Sequence, residues 1–209
     1  MFLKLTHRRA YAGTSPLAPP PPAEVPEQYA SPSVKRILER LARVGGGAVL
    51  DLGVLSGDTL TTFAEAGARV HVHDIVSRLR AAPDGGAPDI GRLLGAVRVA
   101  PATIDVMCAW ELFDVLPFAV AQEALAVMSR WLVPKGWVLA VFNTTAPAGV
   151  HRFRVAADGL VRAEPTGALG QAVAVTTNSQ VAQLFAGFTL VHSAMVRGQA
   201  REVLAQRQD

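Results

Sequence analysis

Two acidic residues follow short apolar runs of the chain, and their type and spacing suit a ligand that combines a sugar with a positive charge. Asp51 ends the run that begins at Ala48, and Asp74 stands 23 residues further on, at the end of a second run. A spacing of ~20 residues brings a carboxylate against ribose hydroxyls in dinucleotide-binding folds. A carboxylate in a partly dry crevice also attracts an ammonium group more strongly than it does in water. The pair therefore predicts a site for a nucleoside without a 2′-phosphate.

The glycines that follow Asp51 restrict which nucleoside could bind. Gly53 and Gly57 form a G-x-x-x-G pattern. A nicotinamide dinucleotide requires G-x-G-x-x-G, which brings a helix N-terminus against the pyrophosphate. Asp51 would also place negative charge near those phosphates. An NAD-linked oxidoreductase is therefore disfavoured.

The apolar pattern around the two acids predicts a strand, a helix and a second strand. The first strand covers residues 48–53, a helix capped by Asp58 or Thr59 ends at Gly67, and the second strand covers 69–74. Strand, helix and strand within about 30 residues form a βαβ unit, whose two strands are parallel. Parallel sheets are buried on both faces, and their ligands bind beyond the carboxyl ends of the strands. Both acids stand at that edge.

The rest of the chain continues the alternation of strands and helices. A helix capped by Ser33 precedes the first strand, and Asp158-Gly159 is a strong hairpin signal inside a small β insertion at about 150–176. We expect an α/β fold with a mostly parallel sheet and a C-terminal antiparallel strand pair. The remaining predicted elements are a strand over 104–110, a helix over 115–132, a strand over 136–143, a helix that begins at Asn178 or Ser179, and strands over 188–196 and 201–206.

The excess positive charge of the chain is confined to its N-terminal arm. The chain has 209 residues and a formal net charge of +3. Lys4, Arg8 and Arg9 stand in the first 23 residues without an acid, so basic and acidic residues balance in the rest. Prolines are dense between residues 12 and 33, which is typical of an extended arm. We therefore predict a basic, proline-rich arm over 1–32 and one domain over 33–209.

Composition also argues against several classes of protein. A domain without excess positive charge does not suit binding along a DNA backbone, so no DNA partner is expected. Cys108 is the only cysteine, which excludes an internal disulfide. His71 and His73 have no third ligand at a useful spacing except Asp74, which lies on the opposite face of the strand, so no metal is expected. The chain has neither a long apolar run nor a secretory signal, and we expect a cytoplasmic protein that does not enter membranes.

Four stretches of the chain, in order, resemble the motifs of the class I, S-adenosylmethionine-dependent methyltransferases. The stretches are 49–57, 70–74, 104–111 and 132–138, and the resemblance extends over about residues 34–207. It implies a Rossmann-like, doubly wound sheet of seven strands. It also implies that the cofactor S-adenosylmethionine lies over the strands that carry the first, second and fourth family motifs.

The resemblance assigns parts of the cofactor to individual residues. Asp51 would face its ammonium group, Asp74 would hold both ribose hydroxyls, and Ile75 would lie against the adenine. Ala109 and Trp110 would border the methionine end and the substrate. The full set of residues carried over to cofactor binding is Asp51, Gly53, Ser56, Gly57, Asp74, Ile75, Ala109 and Trp110.

The chain departs from the family pattern at two places in the cofactor site. Leu55 stands where the family's first loop has its middle glycine, and its side chain could narrow the space for the methionine part or point into the core. The family's third acid has Asp89 as its nearest counterpart. The Asn/Asp-Pro-Pro-Tyr signature of amino-methylating DNA enzymes is absent after residue 107, which again argues against DNA.

Two functions follow from this pattern. The first is methyl transfer from S-adenosylmethionine to a small molecule or a protein side chain. The second is a catalytically inactive, methyltransferase-like binding or assembly module, which Leu55 and the missing third acid favour. No catalytic base is assigned, because Glu111 and Asp114 could act on a substrate or could simply favour the start of a helix. The insertion could pair two copies as a homodimer.

Overall fold

The computed structural model describes residues 27–80, 89–145, 149–168, 175–196 and 200–209. Its strands are β1 Glu27–Ala30, β2 Gly47–Asp51, β3 Ala68–Val72, β4 Ile104–Trp110, β5 Leu132–Asn143, β6 Gly149–Val155, β7 Leu160–Ala168, β8 Phe188–Val196 and β9 Ala200–Arg207. Its helices are α1 Pro32–Val44, α2 Gly57–Glu65, α3 Ile75–Arg80, α4 Ile90–Gly95, α5 Phe118–Ser129 and α6 Asn178–Leu184, with a 3₁₀ turn over Leu112–Val115. None of the described helices combines the length and apolarity needed to cross a membrane.

The central sheet has the order β3-β2-β4-β5-β9-β8. β2 runs parallel to β3 and to β4, and β4 runs parallel to β5. The last two pairings, β5 with β9 and β9 with β8, are antiparallel. This arrangement confirms the predicted α/β fold with a mostly parallel sheet and a C-terminal antiparallel pair.

The described residues contribute six strands to this sheet, where the family resemblance implies seven. Between β3 and β4 the chain forms the short helices α3 and α4 instead of a further strand in its described part. Ile90 and Leu94 explain the helical choice for α4, because their spacing of four puts both buried side chains on one helix face. Asp89, the nearest counterpart of the family's third acid, caps this helix by accepting from the backbone N–H of Arg92 at 2.9 Å.

The sheet is buried on both faces, as the predicted parallel strands require. On one face, Leu50 and Met107 pack in a core that α3 to α6 complete. On the other face, Val49 and Val106 pack in a second core with residues of α1, α2, β6 and β7. Continuous apolar runs such as that of β2 therefore place successive side chains in different cores.

Helix starts differ from the predicted ones by a few residues. Helix α1 is capped by Ser31 rather than Ser33, because Pro32 lacks an N–H and suits the first turn of a helix. The predicted caps Asp58 or Thr59 are also wrong, since Ser56 caps α2. The predicted caps Asn178 or Ser179 are replaced by Thr177, which caps α6 as part of a capping box with Gln180.

The predicted arm contributes a strand to the folded part. β1, Glu27–Ala30, pairs antiparallel with β7, so residues 27–32 belong to the folded part rather than to the arm. Residues 1–26 of the predicted arm lie outside the described residues. The hairpin predicted at Asp158-Gly159 is confirmed, because β6 and β7 pair antiparallel around it and Gly159 has a φ of +83°. Strands β1, β7 and β6 form a second, three-stranded sheet.

The three-stranded sheet is fastened to α2. The Thr59 hydroxyl donates to the carbonyl of Phe153 at 2.7 Å and accepts from the N–H of Val155 at 3.1 Å. The Thr62 hydroxyl donates to the carbonyl of Val155 at 2.7 Å. In front of the helix, Arg152 donates to the carbonyl of Leu55 at 3.0 Å. β6 therefore crosses the loop that leads from β2 into α2.

Candidate functional site

The side chains predicted to bind a ligand collect around the carboxyl ends of β2, β3 and β4. Asp51 is the last residue of β2, Trp110 is the last residue of β4, and Asp74 follows β3 before α3 begins. Parallel pairing places these three strand ends at one edge of the sheet. The two acids are close enough for the charge of Asp74 to act on Asp51.

Asp51 is buried, with 2% of its surface exposed. One of its oxygens, Oδ1, accepts from the backbone N–H of Gly53 at 3.0 Å and from the indole Nε1 of Trp110 at 2.8 Å. The pKa of Asp51 is raised to about 6: burial raises it most, the hydrogen bonds from Gly53 and Trp110 lower it, and the negative charge of Asp74 adds to the rise. Both donors are neutral, so the buried carboxylate has no cationic partner among the described residues.

Trp110 fills the space beside Asp51. Its side chain is 2% exposed, and its ring stacks on Phe153 with ring centres 4.6 Å apart and planes 6° from parallel. A Cβ atom placed at Gly53 would lie 3.1 Å from Nε1 of Trp110 and would overlap Cδ1. Gly53 is thus required for the close approach of an indole ring from β4. We name Asp51, Gly53 and Trp110 the Asp51 corner.

The backbone at Trp110 is strained. Its φ is +50°, in the left-handed region that side-chain-bearing residues seldom adopt. Such conformations persist where the surroundings hold them and are concentrated at functional sites. The hydrogen bond to Asp51 and the stack on Phe153 hold this side chain, which is also packed in the second core.

Asp74 is half-buried and connects two loops of the site. Its Oδ1 accepts from the N–H of Ser77 at 2.8 Å, at the start of α3, and its Oδ2 accepts from the N–H of Leu55 at 3.4 Å. Ile75, expected against an adenine, is buried in the core, and so is Ala109. Of the eight residues predicted to bind the ligand, Gly57 is exposed, Asp74 is half-buried and the other six are buried.

The loop from β2 to α2 also differs in part from expectation. Ser56 is buried and accepts from the N–H of Thr59 at 3.5 Å, while Gly57 is exposed at the start of α2. The Leu55 side chain is 50% exposed. It neither points into the core nor separates Asp51 from its partners, because Trp110 is the side chain beside that carboxylate.

A second polar cluster lies next to the Asp51 corner, at the ends of β4 and β5. Glu111 is 2% exposed; its Oε1 lies 2.8 Å from Nδ1 of His151 and accepts from the side-chain amide of Asn143 at 3.1 Å. Its Oε2 accepts from the backbone N–H of His151 at 2.8 Å. Asp114 accepts from the backbone and side chain of Asn143 at 2.5 and 2.9 Å and from Thr176 at 3.3 Å. We name Glu111, Asp114, Asn143 and His151 the Glu111 network.

The pKa of Asp114 is raised further than that of Asp51. Burial raises the pKa of its carboxyl to about 7, the hydrogen bond from the Asn143 backbone lowers it, and the charge of Glu111 raises it. A carboxyl with a pKa near neutrality can hold or release a proton under ordinary conditions. Within the described residues, no three His, Cys, Asp or Glu side chains are arranged as metal ligands.

The sequence analysis named Glu111 and Asp114 but missed Asn143 and His151. Asn143 carried the signal that identified Asp51 and Asp74, since it is a polar residue at the carboxyl end of a buried strand. His151 carried no such signal, because it belongs to the insertion. Only the pairing of Glu111 with the start of β6 brings the imidazole to this edge.

No family model and no curated protein sequence matches the chain. Solved structures do match. A methyltransferase structure from Thermobifida fusca, described as putative, has a TM-score of 0.55 at 14% identity, with 85% of this chain and 79% of that chain covered. The 1,6-didemethyltoxoflavin N1-methyltransferase of Burkholderia thailandensis, solved with 1,6-didemethyltoxoflavin and S-adenosylhomocysteine, has a TM-score of 0.52 at 20% identity, covering 84% and 77%.

A third match is magnesium protoporphyrin IX methyltransferase from Synechocystis, solved with S-adenosylmethionine. Its TM-score is 0.50 at 16% identity, with 84% of this chain and 78% of that chain covered. The alignments span most of each chain, so the likeness concerns the whole sheet and its helices rather than one motif. The chain has the Rossmann-like fold of the class I, S-adenosylmethionine-dependent methyltransferases.

Proposed function

We propose that this protein transfers a methyl group from S-adenosylmethionine to a small molecule or a protein side chain. The observation that carries the proposal is the pair Asp51 and Asp74, two acids at neighbouring strand ends that form no ion pair with a Lys or Arg among the described residues. A buried carboxylate with neutral donors alone is stabilised when a cation binds beside it. The fold supports the same assignment, because ligands of open α/β sheets bind at this edge.

The chemistry of the donor set fits the cofactor, while the space in the Asp51 corner is taken by an indole. Asp51 offers a buried negative charge for an ammonium group, and Asp74 offers a half-buried carboxylate for ribose hydroxyls. The indole of Trp110 stands against Gly53, so the methionine part would enter only when this side chain moves away. In our proposal the other cofactor-binding residues are Gly53, Ser56, Gly57, Ile75 and Ala109, as the family resemblance implies.

The Glu111 network is the candidate for the acceptor end of the site. When bound, the cofactor would supply a methyl group on a sulfonium, and the protein's main task would be to align a nucleophile with it. Glu111 contacts both the backbone and the ring of His151, which fixes the orientation of the imidazole. We assign to His151 the removal of a proton from the acceptor's hydroxyl or amine, since imidazole is the commonest general base in proteins.

A second function is favoured by Trp110. Its indole occupies the Asp51 corner, and β6 crosses the loop in front of α2. These contacts are what a methyltransferase-like binding or assembly module that has lost turnover would show. The two functions differ in turnover, and in our proposal they also differ in binding, because the indole would keep S-adenosylmethionine out of the module. That DNA is not a substrate, that the protein forms a homodimer and that it is cytoplasmic stay predictions.

Calorimetric titration with S-adenosylmethionine and S-adenosylhomocysteine separates the two functions. We expect binding that Asp74→Ala abolishes and Asp51→Asn weakens. Asp105→Asn is a matched control, because Asp105 stands at the start of β4, where its carboxylate accepts from the N–H of Ala48 at 2.8 Å. An absence of heat at millimolar ligand, with both the native protein and Trp110→Ala, would exclude the enzyme and leave the binding module.

A further inference from the structure

We propose that Trp110 competes with the amino-acid end of the cofactor for Asp51, and that it thereby sets the preference of the site between nucleosides with and without that end. The inference rests on the proposed function, because it concerns the same site. It makes Trp110 a specificity-determining residue instead of a wall of the cofactor site.

The first argument is the identity of the oxygen that Trp110 uses. Its Nε1 donates to Oδ1 of Asp51 at 2.8 Å, and this oxygen already accepts from the N–H of Gly53 at 3.0 Å. The family resemblance directs the ammonium group of the cofactor to the same carboxylate. Oδ1 already accepts from two N–H groups, so an ammonium group directed at this oxygen would have to replace the indole N–H.

The second argument is the space above Gly53. A glycine at this position would let a ligand approach the backbone, but the nearest atoms to its missing side chain belong to the Trp110 ring. Trp110 and Gly53 are both buried, and the indole is packed on its other side by Phe153 at a ring distance of 4.6 Å. The indole and a methionyl chain would therefore need the same volume.

The third argument is that a charged ligand would offer Asp51 a stronger hydrogen-bond donor than the indole does. The backbone of Trp110 has the left-handed φ of +50°, so the chain gains no conformational stability from this position. The hydrogen bond to Asp51, the stack on Phe153 and packing in the second core oppose this strain. A ligand that offers a charged donor to Asp51 replaces a neutral hydrogen bond by a charge-assisted one, which is the stronger kind.

The competition affects only ligands that carry an amino-acid end. S-adenosylmethionine and S-adenosylhomocysteine must displace the indole before they reach Asp51. 5′-Methylthioadenosine and adenosine offer their ribose to Asp74 but have no ammonium group, so they leave the indole in place. The apparent affinity of the first pair is reduced by the fraction of molecules in which the indole has moved, and that of the second pair is not.

The test is calorimetric titration of the native protein, Trp110→Ala and Trp110→Phe with S-adenosylhomocysteine and with 5′-methylthioadenosine. For Trp110→Ala we expect S-adenosylhomocysteine to bind at least about tenfold tighter, while 5′-methylthioadenosine changes by less than about twofold. For Trp110→Phe we expect an intermediate gain of about threefold, because a phenyl ring still fills the corner but lacks the N–H. Circular dichroism and thermal unfolding establish that each variant is folded.

Trp137→Phe is the matched control. Trp137 is half-buried in β5, its Nε1 has no hydrogen-bond partner among the described residues, and the guanidinium of Arg40 lies 4.5 Å from its ring centre. This variant also removes an indole N–H but leaves the Asp51 corner unchanged. Its affinities for both nucleosides should equal those of the native protein.

The outcomes distinguish the inference from the function on which it rests. If nucleosides bind but Trp110→Ala and Trp110→Phe bind S-adenosylhomocysteine no tighter than the native protein does, the competition is wrong and the cofactor assignment stands. If neither nucleoside binds any of the three proteins, the proposed function fails and the inference fails with it. Should Trp110→Ala be unfolded, Trp110→Phe still decides, since it retains an aromatic ring for the stack on Phe153.

Discussion

The Asp51 corner and the Glu111 network both keep acids buried at the carboxyl edge of one sheet, but they compensate those acids differently. Asp51 receives one backbone N–H and one side chain that can rotate. Glu111 receives the backbone and ring of His151 and the amide of Asn143, and Asp114 receives Asn143 and Thr176. The network therefore joins the end of β4 to β5, β6 and the segment before α6, whereas the partners of Asp51 come from the loop after β2 and from the end of β4.

From this difference we infer that the Asp51 corner can rearrange around a ligand and that the Glu111 network cannot. In our proposal, a ligand replaces the indole in the corner. Replacing His151 or Asn143 would break contacts among several elements at once, and each broken contact would leave a buried polar group unpaired. The comparison teaches that burial of an acid does not by itself define its role, because the number of elements that supply its partners decides whether it can respond to a ligand.

The largest expected effect on stability comes from a substitution in the Glu111 network. In Glu111→Ala, the ring and backbone N–H of His151 and the amide of Asn143 lose a buried acceptor. We expect the free energy of unfolding to fall by about 3 kcal/mol, measured by urea denaturation. Glu123→Ala is the control, since Glu123 is exposed on α5 and should change stability by less than about 0.5 kcal/mol. A loss for Glu111→Ala as small as that of the control would show that the network is not fixed.

The next effect depends on pH, and here the substitution is expected to raise the free energy of unfolding instead of lowering it. Burial raises the pKa of Asp51 to about 6 and that of Asp114 to about 7, both from an ordinary value of 3.8. The folded protein therefore binds more protons than the unfolded chain above about pH 4, so these groups lower stability as pH rises, up to about pH 6 for Asp51 and about pH 7 for Asp114. Their penalty is complete above those values, small at about pH 4 and absent below about pH 3, where the carboxyls are protonated in both states.

Asp51→Asn should remove this penalty. The amide oxygen of Asn can accept both hydrogen bonds, because Gly53 and Trp110 use the same oxygen of Asp51. We expect a gain of about 2 kcal/mol at about pH 8 and a much smaller one at about pH 4, from urea denaturation across this range. Asp114→Asn should do the same with a window that extends to about pH 7, and Asp209→Asn, at the exposed C-terminus, should do neither. Equal gains at both ends of the range would contradict the assignment.

A smaller effect is expected where β6 is attached to α2. Thr59→Val removes the hydroxyl that donates to Phe153 and accepts from Val155. We expect the free energy of unfolding to fall by about 1.5 kcal/mol, because two buried backbone groups lose a partner. Thr61→Val is the control, since Thr61 is exposed on the same helix. If both variants were equally stable, the attachment would lie elsewhere.

The smallest effect is expected at the position that the sequence singled out as an obstacle. The side chain of Leu55 is half exposed, and the contacts of this residue with Asp74 and Arg152 are made by its backbone. Leu55→Ala should therefore alter stability by less than about 0.5 kcal/mol and S-adenosylhomocysteine affinity by less than about twofold. A large gain in affinity, measured by the same calorimetry, would return Leu55 to the role now given to Trp110.

Local pattern was sufficient for most of the fold. The alternation of apolar runs predicted β2, α2 and β3, the Asp158-Gly159 turn predicted the β6–β7 hairpin, and the spacing of apolar residues predicted α1. Helix starts were less accurate, because Ser31, Ser56 and Thr177 compete with nearby residues of similar capping ability. The strand formed by Glu27–Ala30 was missed, since its partner β7 is far away in the chain.

The site, like the fold, has features that the sequence predicts and features that it does not. The sequence alone determined that Asp51 and Asp74 end neighbouring parallel strands, because strand periodicity and βαβ handedness are local rules with few solutions. Only the tertiary structure decided that Trp110 fills the corner and that His151 reaches Glu111. The first contact joins residues that are 59 positions apart in the chain, and the second joins residues that are 40 positions apart. They depend on a left-handed backbone at Trp110 and on the packing of β6 over α2. No periodicity encodes such contacts, because they arise when separate elements exclude water from a shared volume.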